Sequence, residues 1–225
     1  MIQKDDSVYE KYENTRRLKK MIRIHQIDLA GITELKHLRN IPSGISLQNT
    51  GLLKTYQYAI VLGAQYGKLG KNSSGSETSL FLEKIAQELV YYIIEKEKFA
   101  ALIIHTEDEF DPLTRIGLMS LKVLAKSAGL GWQGRSLLIV SPQYGPIHRL
   151  IAILTDMPLS ADKTIPNHCG DCSRCIEQCP QKSLSLVKFQ DHPACRGEVL
   201  DMNSCLGDYA CTVCITACPW LKYDA

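Results

Sequence analysis

All nine cysteines of this 225-residue chain lie at or after position 169, and their spacing is the part of the sequence that most directly implies chemistry. The first run is Cys169-x2-Cys172-x2-Cys175-x3-Cys179-Pro180. The second, Cys211-x2-Cys214-x3-Cys218-Pro219, repeats its last three positions and carries Asp208 where a fourth cysteine would fall. Such a run suits a 4Fe-4S cubane: three closely spaced thiolates converge on one cluster, and the fourth reaches a neighbouring one. Applied to both runs, the rule puts Cys169, Cys172, Cys175 and Cys218 on one cluster and Cys179, Cys211 and Cys214 on the other. One ligand is still owed to the second cluster. Cys205 serves if the loop is longer, and Cys195 serves if residues 196–204 make a detour; spacing leaves both open. The competing reading is zinc, which paired C-x2-C units also bind, but two runs in this order, each ending in Cys-Pro, favour iron–sulfur. A disulfide framework would spread its cysteines through a small secreted domain, so this distribution speaks for a local metal module.

Other residues invite a role and have a plainer alternative. His168 adjoins the first cysteine, but with a full cysteine set histidine ligation is the exception. His105 ends a predicted strand and is expected as a satisfied interior histidine. Glu107, Asp108, Glu109 and Asp111 read as a solvated acidic loop more readily than as acid–base catalysts. Tyr91 and Tyr92 lie on a predicted helix in core and surface roles. In AGLGWQGRS (128–136), three glycines around an indole permit close backbone approach to something bulky. Gly131, Trp132, Gly134 and Arg135 are therefore candidates for holding an organic cofactor, with a helix C-cap and packing turn as the alternative.

Positioning these residues requires a larger scaffold, and the first three quarters of the chain alternate elements in an α/β manner. YQYAIVLG (56–63) predicts a buried strand, followed by a Gly/Ser/Asn loop. Residues 76–98 predict a helix from Leu82, Ile85, Leu89 and Ile93 at helical spacing, with Ser74 and Glu77 as a capping box. FAALIIHT (99–106) predicts a strand and 113–129 a second helix closed by Gly129. SLLIVS and RLIAILTD flank the turn former PQYGPIH, which predicts two neighbouring antiparallel strands. No GxGxxG follows a strand, so a dinucleotide fingerprint is absent. Residues 157–167, with two prolines and no periodicity, mark the boundary between a domain over 1–160 and one over 161–225.

With 26 basic and 24 acidic side chains the net charge is +2, which advertises neither a nucleic-acid nor an acidic-tail partner. The charged first twenty residues lack a secretory core, and the longest apolar runs fall well below the roughly 20 residues needed to cross a bilayer. A soluble cytoplasmic protein with no membrane partner is expected.

The stretch LAKSAGLGWQGRSLLIVSPQYGPIHRLIAILTDMPL, followed by HCGDCSRCIEQCPQKSL and CTVCITACPW, resembles the epoxyqueuosine reductase family and its shorter relatives, and more distantly the corrinoid reductive dehalogenases. The resemblance implies an α+β fold: a nitroreductase-like α/β sandwich with a mixed sheet, followed by a small ferredoxin-like domain with two 4Fe-4S clusters. It implies an oxidoreductase whose clusters feed single electrons to a base-off cobalamin, the cofactor carrying the difficult chemistry. DHPACRGEVL resembles the stretch that carries the family's fifth cysteine, which transfers the eighth ligand to Cys195, with Cys205 as the alternative. Family members carry an aspartate, thought to donate a proton, about thirteen residues before AGLGW; Arg115 stands there in this chain. The expected partners are a redox protein or a corrinoid. Transfer RNA is not expected, because the helical repeats found beyond the clusters in many relatives are missing. The alternatives are a non-catalytic ferredoxin-like electron-transfer protein and a flavin-dependent reductase.

Overall fold

The apolar run at 58–65 does form the buried strand its β-branched and aromatic content predicts, and the sheet is assembled around it. A computed structural model describes residues 6–40, 50–65, 75–106, 118–146, 148–207 and 210–222. In chain order its elements are α1 (Asp6–Ile24), β1 (Leu29–Glu34), a 3-10 turn (Leu35–Asn40), α2 (Thr50–Thr55), β2 (Tyr58–Gln65), α3 (Gly75–Glu95) and β3 (Ala101–Ile104). Then follow α4 (Leu121–Ser127), β4 (Trp132–Gln133), β5 (Ile139–Val140), β6 (His148–Thr155), α5 (Arg174–Glu177), α6 (Arg196–Val199) and α7 (Val213–Thr216).

Four strands form one sheet in the order β1-β2-β6-β3, and each pairing is antiparallel. The expected mixed sheet is corrected accordingly. The strand–helix–strand pattern β2-α3-β3 does run its two strands in the same direction, but β6 inserts between them and is antiparallel to both. The expected pairing of SLLIVS with RLIAILTD also fails: β5 pairs with β4 in a two-stranded ribbon, and β6 pairs with β2 and β3. A turn former between two apolar runs signals a reversal of direction, and it does not specify the partner that each run will bury itself against.

Alternation along the strands gives the sheet two apolar faces. Ile60, Leu62, Ile151 and Ile153 meet Leu18 and Ile22 of α1 and Leu82, Ile85, Leu89 and Ile93 of α3. On the other face Ala59, Val61, Ala152 and Leu154 meet α4 and the ribbon residue Ile139. The molecule is thus mixed α/β, helices covering both faces of an antiparallel sheet. Arg17 of α1 clamps Glu97 just past α3 through two hydrogen bonds of 2.7 and 2.8 Å, and this ion pair together with the Tyr92 hydroxyl holds the Glu97 carboxyl below the usual carboxylate range.

The helix predicted over 76–98 matches α3, although Ser74 of its capping box lies outside the described residues. The helix predicted over 113–129 is shorter: Ser120 caps it, its side chain accepting from Val123 N, and residues 113–117 are not described. Residues 157–167, read as a boundary, are packed against the first part of the chain. Met157 and Leu159 are fully buried in the α1–α3 core, Asn14 donates to the Pro158 carbonyl, and Asp162 exchanges two hydrogen bonds with the Ile32 backbone while pairing with Lys19 at 2.6 Å. Among the described residues no helix is long and apolar enough to cross a membrane.

Replacing Leu89 with alanine should cost about 2–5 kcal/mol of unfolding free energy, because the residue is fully buried between α3 and the sheet. Tyr91→Ala, at an exposed position of the same helix, should stay within about 0.5 kcal/mol. Urea denaturation of the two variants checks the assignment of faces.

Candidate metal centre

The two cysteine runs fold alike. Each C-x2-C-x3-C segment builds one helical turn, α5 or α7, started by a polar residue (Ser173 or Thr212) whose carbonyl accepts from the amide three residues on (Ile176 or Ile215) at 2.9 Å. The final cysteine of each run then donates its amide to that isoleucine's carbonyl, at 3.2 Å for Cys179 and 3.1 Å for Cys218. The turns α5 and α7 pack on one another, which brings the runs together. All nine cysteines are unbridged and half-buried.

They sort into two neighbourhoods. Cys169, Cys172, Cys175 and Cys218 surround a small cavity with Gly134 and Trp220, which Cys214 also reaches. Burial, then the proximity of Cys169, Cys214, Cys218 and Cys172, pushes the Cys175 thiol up to about 11. Burial raises Cys218 as well, with Cys169 and Cys172 beside it. The second neighbourhood is Cys179, Cys205, Cys211 and Cys214. Burial, and next to it Cys211, Cys205 and Cys179, raises Cys214 to about 11. Cys179 moves the other way. Burial pushes it up, but the backbone amides of Ser183, Gln181 and Leu184 outweigh that and hold it lower.

Cys195 lines neither cavity; it is the N-cap residue of α6. Cys205 is delivered to the second group by a turn that sequence reading missed. A short ladder, Ser185 N to Val199 O and Asp201 N to Ser183 O, both 2.9 Å, ties the chain after the first run to the chain after α6. Asp201 then accepts from Asn203 N at 3.0 Å and Ser204 Oγ at 2.8 Å, bonds that hold its carboxyl below the usual range, and its carbonyl accepts from Cys205 N at 3.2 Å. The signal was present as Asp201-x-Asn-Ser, a sequence suited to an Asx turn. Asp208 lies outside the described residues.

The AGLGWQGRS residues stand behind the first cysteine group. Trp132 is fully buried, its ring edge-on to Trp220 at 4.9 Å and to His168 at 5.1 Å. Gly131 meets the Val140 backbone so closely that a Cβ would sit 2.1 Å from its carbonyl oxygen, and a Cβ on Gly134 would lie 3.7 Å from Cys169 Sγ. The buried Arg135 guanidinium donates to the Gly170 carbonyl between Cys169 and Cys172. Gly134 and Arg135 line the small cavity of the first cysteine group, and none of the four lines the large cavity described below. His168 belongs to the same aromatic cluster. His105, expected inside, is instead exposed, 2.7 Å from Glu83. Glu107, Asp108, Glu109, Asp111 and Arg115 lie outside the described residues.

Strand β4 also clasps the chain on both sides of the first run. Asn167 donates to the Gln133 carbonyl at 3.1 Å and accepts from Cys169 N at 2.9 Å, while His192 Nδ1 lies 2.7 Å from Gln133 Oε1. Burial, and then Lys126, pulls the His192 imidazole down to about 4, so it is neutral at pH 7.

A cavity of ≈ 310 Å³ opens between the two parts of the chain. Leu121, Leu138 and Leu150 line one side. Cys179, Cys205, Cys211 and Cys214 line the other.

No family model matches the chain. Over 167 residues it is 28% identical to an epoxyqueuosine reductase of Bacillus cereus, covering 70% of this chain and 42% of that protein. It therefore spans less than half the length of that curated relative. Among solved structures it superposes on an epoxyqueuosine reductase with an epoxyqueuosine-modified tRNA-Tyr stem loop (TM-score 0.64, 17% identity, 92% of this chain and 66% of that one). It superposes equally on a reductive dehalogenase described in terms of B12-dependent dehalogenation (TM-score 0.67, 19% identity, 92% and 31%). The resemblance to the epoxyqueuosine reductase family holds in sequence, and the likeness to both groups holds in fold. The expectation that transfer RNA is no partner is overturned, since the relatives are epoxyqueuosine reductases and a neighbour sharing the fold holds a tRNA stem loop. That expectation rested on where the chain ends, and an end point does not limit what the folded residues can contact.

A titration tests the clasp. The His192 pKa is about 4 in the fold against an ordinary 6.5, so the stability from its neutral form is complete above about pH 6.5 and is lost as pH falls toward 4. Urea midpoints at pH 7 and pH 5 should differ less in His192→Gln than in the unaltered protein; equal differences would remove His192 from the clasp.

Proposed function

We propose that this protein is an iron–sulfur redox protein, an oxidoreductase of the epoxyqueuosine-reductase kind, that passes single electrons through two 4Fe-4S clusters to a corrinoid in the cavity beside the second. Its ligands in this reading are Cys169, Cys172, Cys175 and Cys218 for the first cluster and Cys179, Cys205, Cys211 and Cys214 for the second. Residues 1–160 are read as a nitroreductase-like unit and 161–225 as a ferredoxin-like one, with 157–167 as the packed join. The observation that carries it is the shared lining: the four cysteines of the second group and Leu121, Leu138 and Leu150 of the α/β part line one cavity.

The donor set suits the clusters. Each neighbourhood supplies four thiols, and the upward pressure on Cys175 and Cys214 is what crowded thiolates feel until a cationic centre shares their charge. Amides directed at the Cys179 sulfur match the hydrogen bonds that tune cluster potential. Among the described residues no three His, Cys, Asp or Glu side chains are close enough to hold a single metal ion. Zinc at about 2.3 Å from each sulfur would need thiolates about 3.8 Å apart, whereas a cubane gives each thiolate its own corner iron and spreads them wider. Cys205 is taken over Cys195 because it lies beside Cys214 and lines the same cavity, which Cys195 does not.

The cavity volume lies at the lower end of small-molecule sites, suited to the reacting face of an organic cofactor. Bound there, a corrinoid would supply a cobalt centre that accepts single electrons and returns them to substrate. Of the chain's own residues, Leu138, Leu150, Leu184 and Ile215 line the cavity together with Cys179 and Cys214 and would give a bound group apolar contacts beside the thiols. A transfer-RNA stem loop enters as a candidate substrate through the likeness in fold to the stem-loop complex.

Anaerobic reconstitution should give about eight irons per chain. Cys205→Ala should fall to about four and Cys195→Ala should keep about eight; the reverse pattern would return the eighth ligand to Cys195. Hydroxocobalamin added to the reconstituted protein should show the base-off spectral change, and an unchanged spectrum would leave electron transfer without a corrinoid.

A further inference from the structure

Arg135 is buried at a place where a charged side chain is normally in water. It stands in the turn between β4 and β5, which is closed by Leu137 N donating to Gly134 O at 2.9 Å and Gly134 N donating to Leu138 O at 2.8 Å. A long cation in such a turn ordinarily carries its head out to solvent. This one is only 7% exposed, and with Gly134 it lines the small cavity around Cys169, Cys172, Cys175 and Cys218. Gly134 permits the close approach: a Cβ there would lie 2.9 Å from Val140 Cγ2 and 3.7 Å from Cys169 Sγ.

Burying a guanidinium is costly unless an anion answers its charge. The hydrogen bond that Arg135 donates goes to the Gly170 carbonyl, which is neutral. The carboxylate that feels its charge is Asp171, held below its usual range by Lys188 first and by Arg135 only last. That carboxylate is 94% exposed and already paired with Lys188 at 3.1 Å, so water and a closer cation take up most of its charge. What else the guanidinium faces is the group of four cysteines. In the proposed reading these thiolates and their 4Fe-4S centre are anionic overall, and the uptake of one electron adds a further negative charge. Net charge and hydrogen bonding are among the factors that set the potential of such a centre. The bond to Gly170, between Cys169 and Cys172, holds the cation in place beside the charge that develops.

We propose that Arg135 tunes the first iron–sulfur centre: its buried positive charge, held at the Cys169–Cys172 loop by the β4–β5 turn, makes that centre easier to reduce without ligating it. This deepens the proposed function and rests on it for the presence of the clusters.

Midpoint potentials of the anaerobically reconstituted protein, read by electron paramagnetic resonance during titration with dithionite, test the proposal. Arg135→Gln keeps a donor for the Gly170 carbonyl and removes the charge, whereas Arg135→Lys keeps the charge. In Arg135→Gln the reduction equilibrium of one centre should become about tenfold less favourable, a fall of about 59 mV for one electron, while the other centre stays where it was. Arg135→Lys should restore the original potential. The same fall should appear when Arg135→Gln is combined with Cys205→Ala, the chain expected to keep the first centre alone. Unmoved potentials in Arg135→Gln, or an equal fall in Arg135→Lys, would overturn the proposal. If Arg135→Gln loses about four irons, Arg135→Lys decides: eight irons at the original potentials support a role for the charge, and the same loss makes Arg135 a structural brace and overturns it. Both failures leave the clusters of the unaltered protein standing, whereas an unaltered chain that holds no iron would sink the proposed function as well.

Discussion

The constraint on which the site depends is the exchange of final cysteines between the two runs. Cys218 stands with Cys169, Cys172 and Cys175, and Cys179 stands with Cys205, Cys211 and Cys214. Neither group is complete within its own stretch of sequence, so α5 must lie on α7 before either set of four exists. Bringing so many thiols together is unfavourable once they ionise, which is why burial and neighbouring sulfurs both push Cys175 and Cys214 upward. A bound cluster reverses the sign of that interaction. Assembly and metal binding are then one event in the proposed reading, as in other small metal modules whose ligands are not preformed in the unfolded chain.

The α/β part supplies what so small a module lacks, a rigid surface to fold against. Its antiparallel sheet is filled on both faces, which leaves the β4–β5 ribbon as a shelf at one edge of the core. From that shelf Trp132 meets residues next to both runs, His168 before the first and Trp220 after the second, while Gln133 holds Asn167 and His192. Arg135 reaches the Gly170 carbonyl inside the first run. One short stretch of the α/β part therefore touches five residues of the cysteine segment. The AGLGWQGRS motif is best understood as that shelf.

Much of this was legible from the chain alone, and the misses share a cause. Helix α3 was readable because Leu82, Ile85, Leu89 and Ile93 repeat at the helical period over about three turns, and β2 because its run is continuously apolar. Helix α1 escaped notice: among its described residues Leu18 and Ile22 are the buried aliphatic side chains, set among many charged ones, and Asn14 and Thr15 add polar contacts. The antiparallel insertion of β6 could not be read locally because strand partners are chosen by faces that meet only in the fold. Cys205 illustrates the same limit at the site. Spacing kept it open beside Cys195, and the resemblance turned to Cys195; the turn at Asp201, pinned to Ser183, is what brings Cys205 to Cys179 and Cys214. Residues 157–167, read as a domain boundary from their prolines and lack of periodicity, are packed: Met157 and Leu159 are buried in the core and Asp162 accepts from the Ile32 amide.

The central claim is that two clusters form side by side because the runs exchange their last cysteines. Electron paramagnetic resonance of the anaerobically reconstituted, fully reduced protein tests it most directly, since neighbouring paramagnetic clusters broaden and split one another's signals. The account predicts the complex spectrum of two interacting 4Fe-4S centres, simplifying to that of one isolated centre in Cys205→Ala. A simple isolated-centre spectrum from the unaltered protein, or a metal analysis that finds zinc in place of iron, would contradict it.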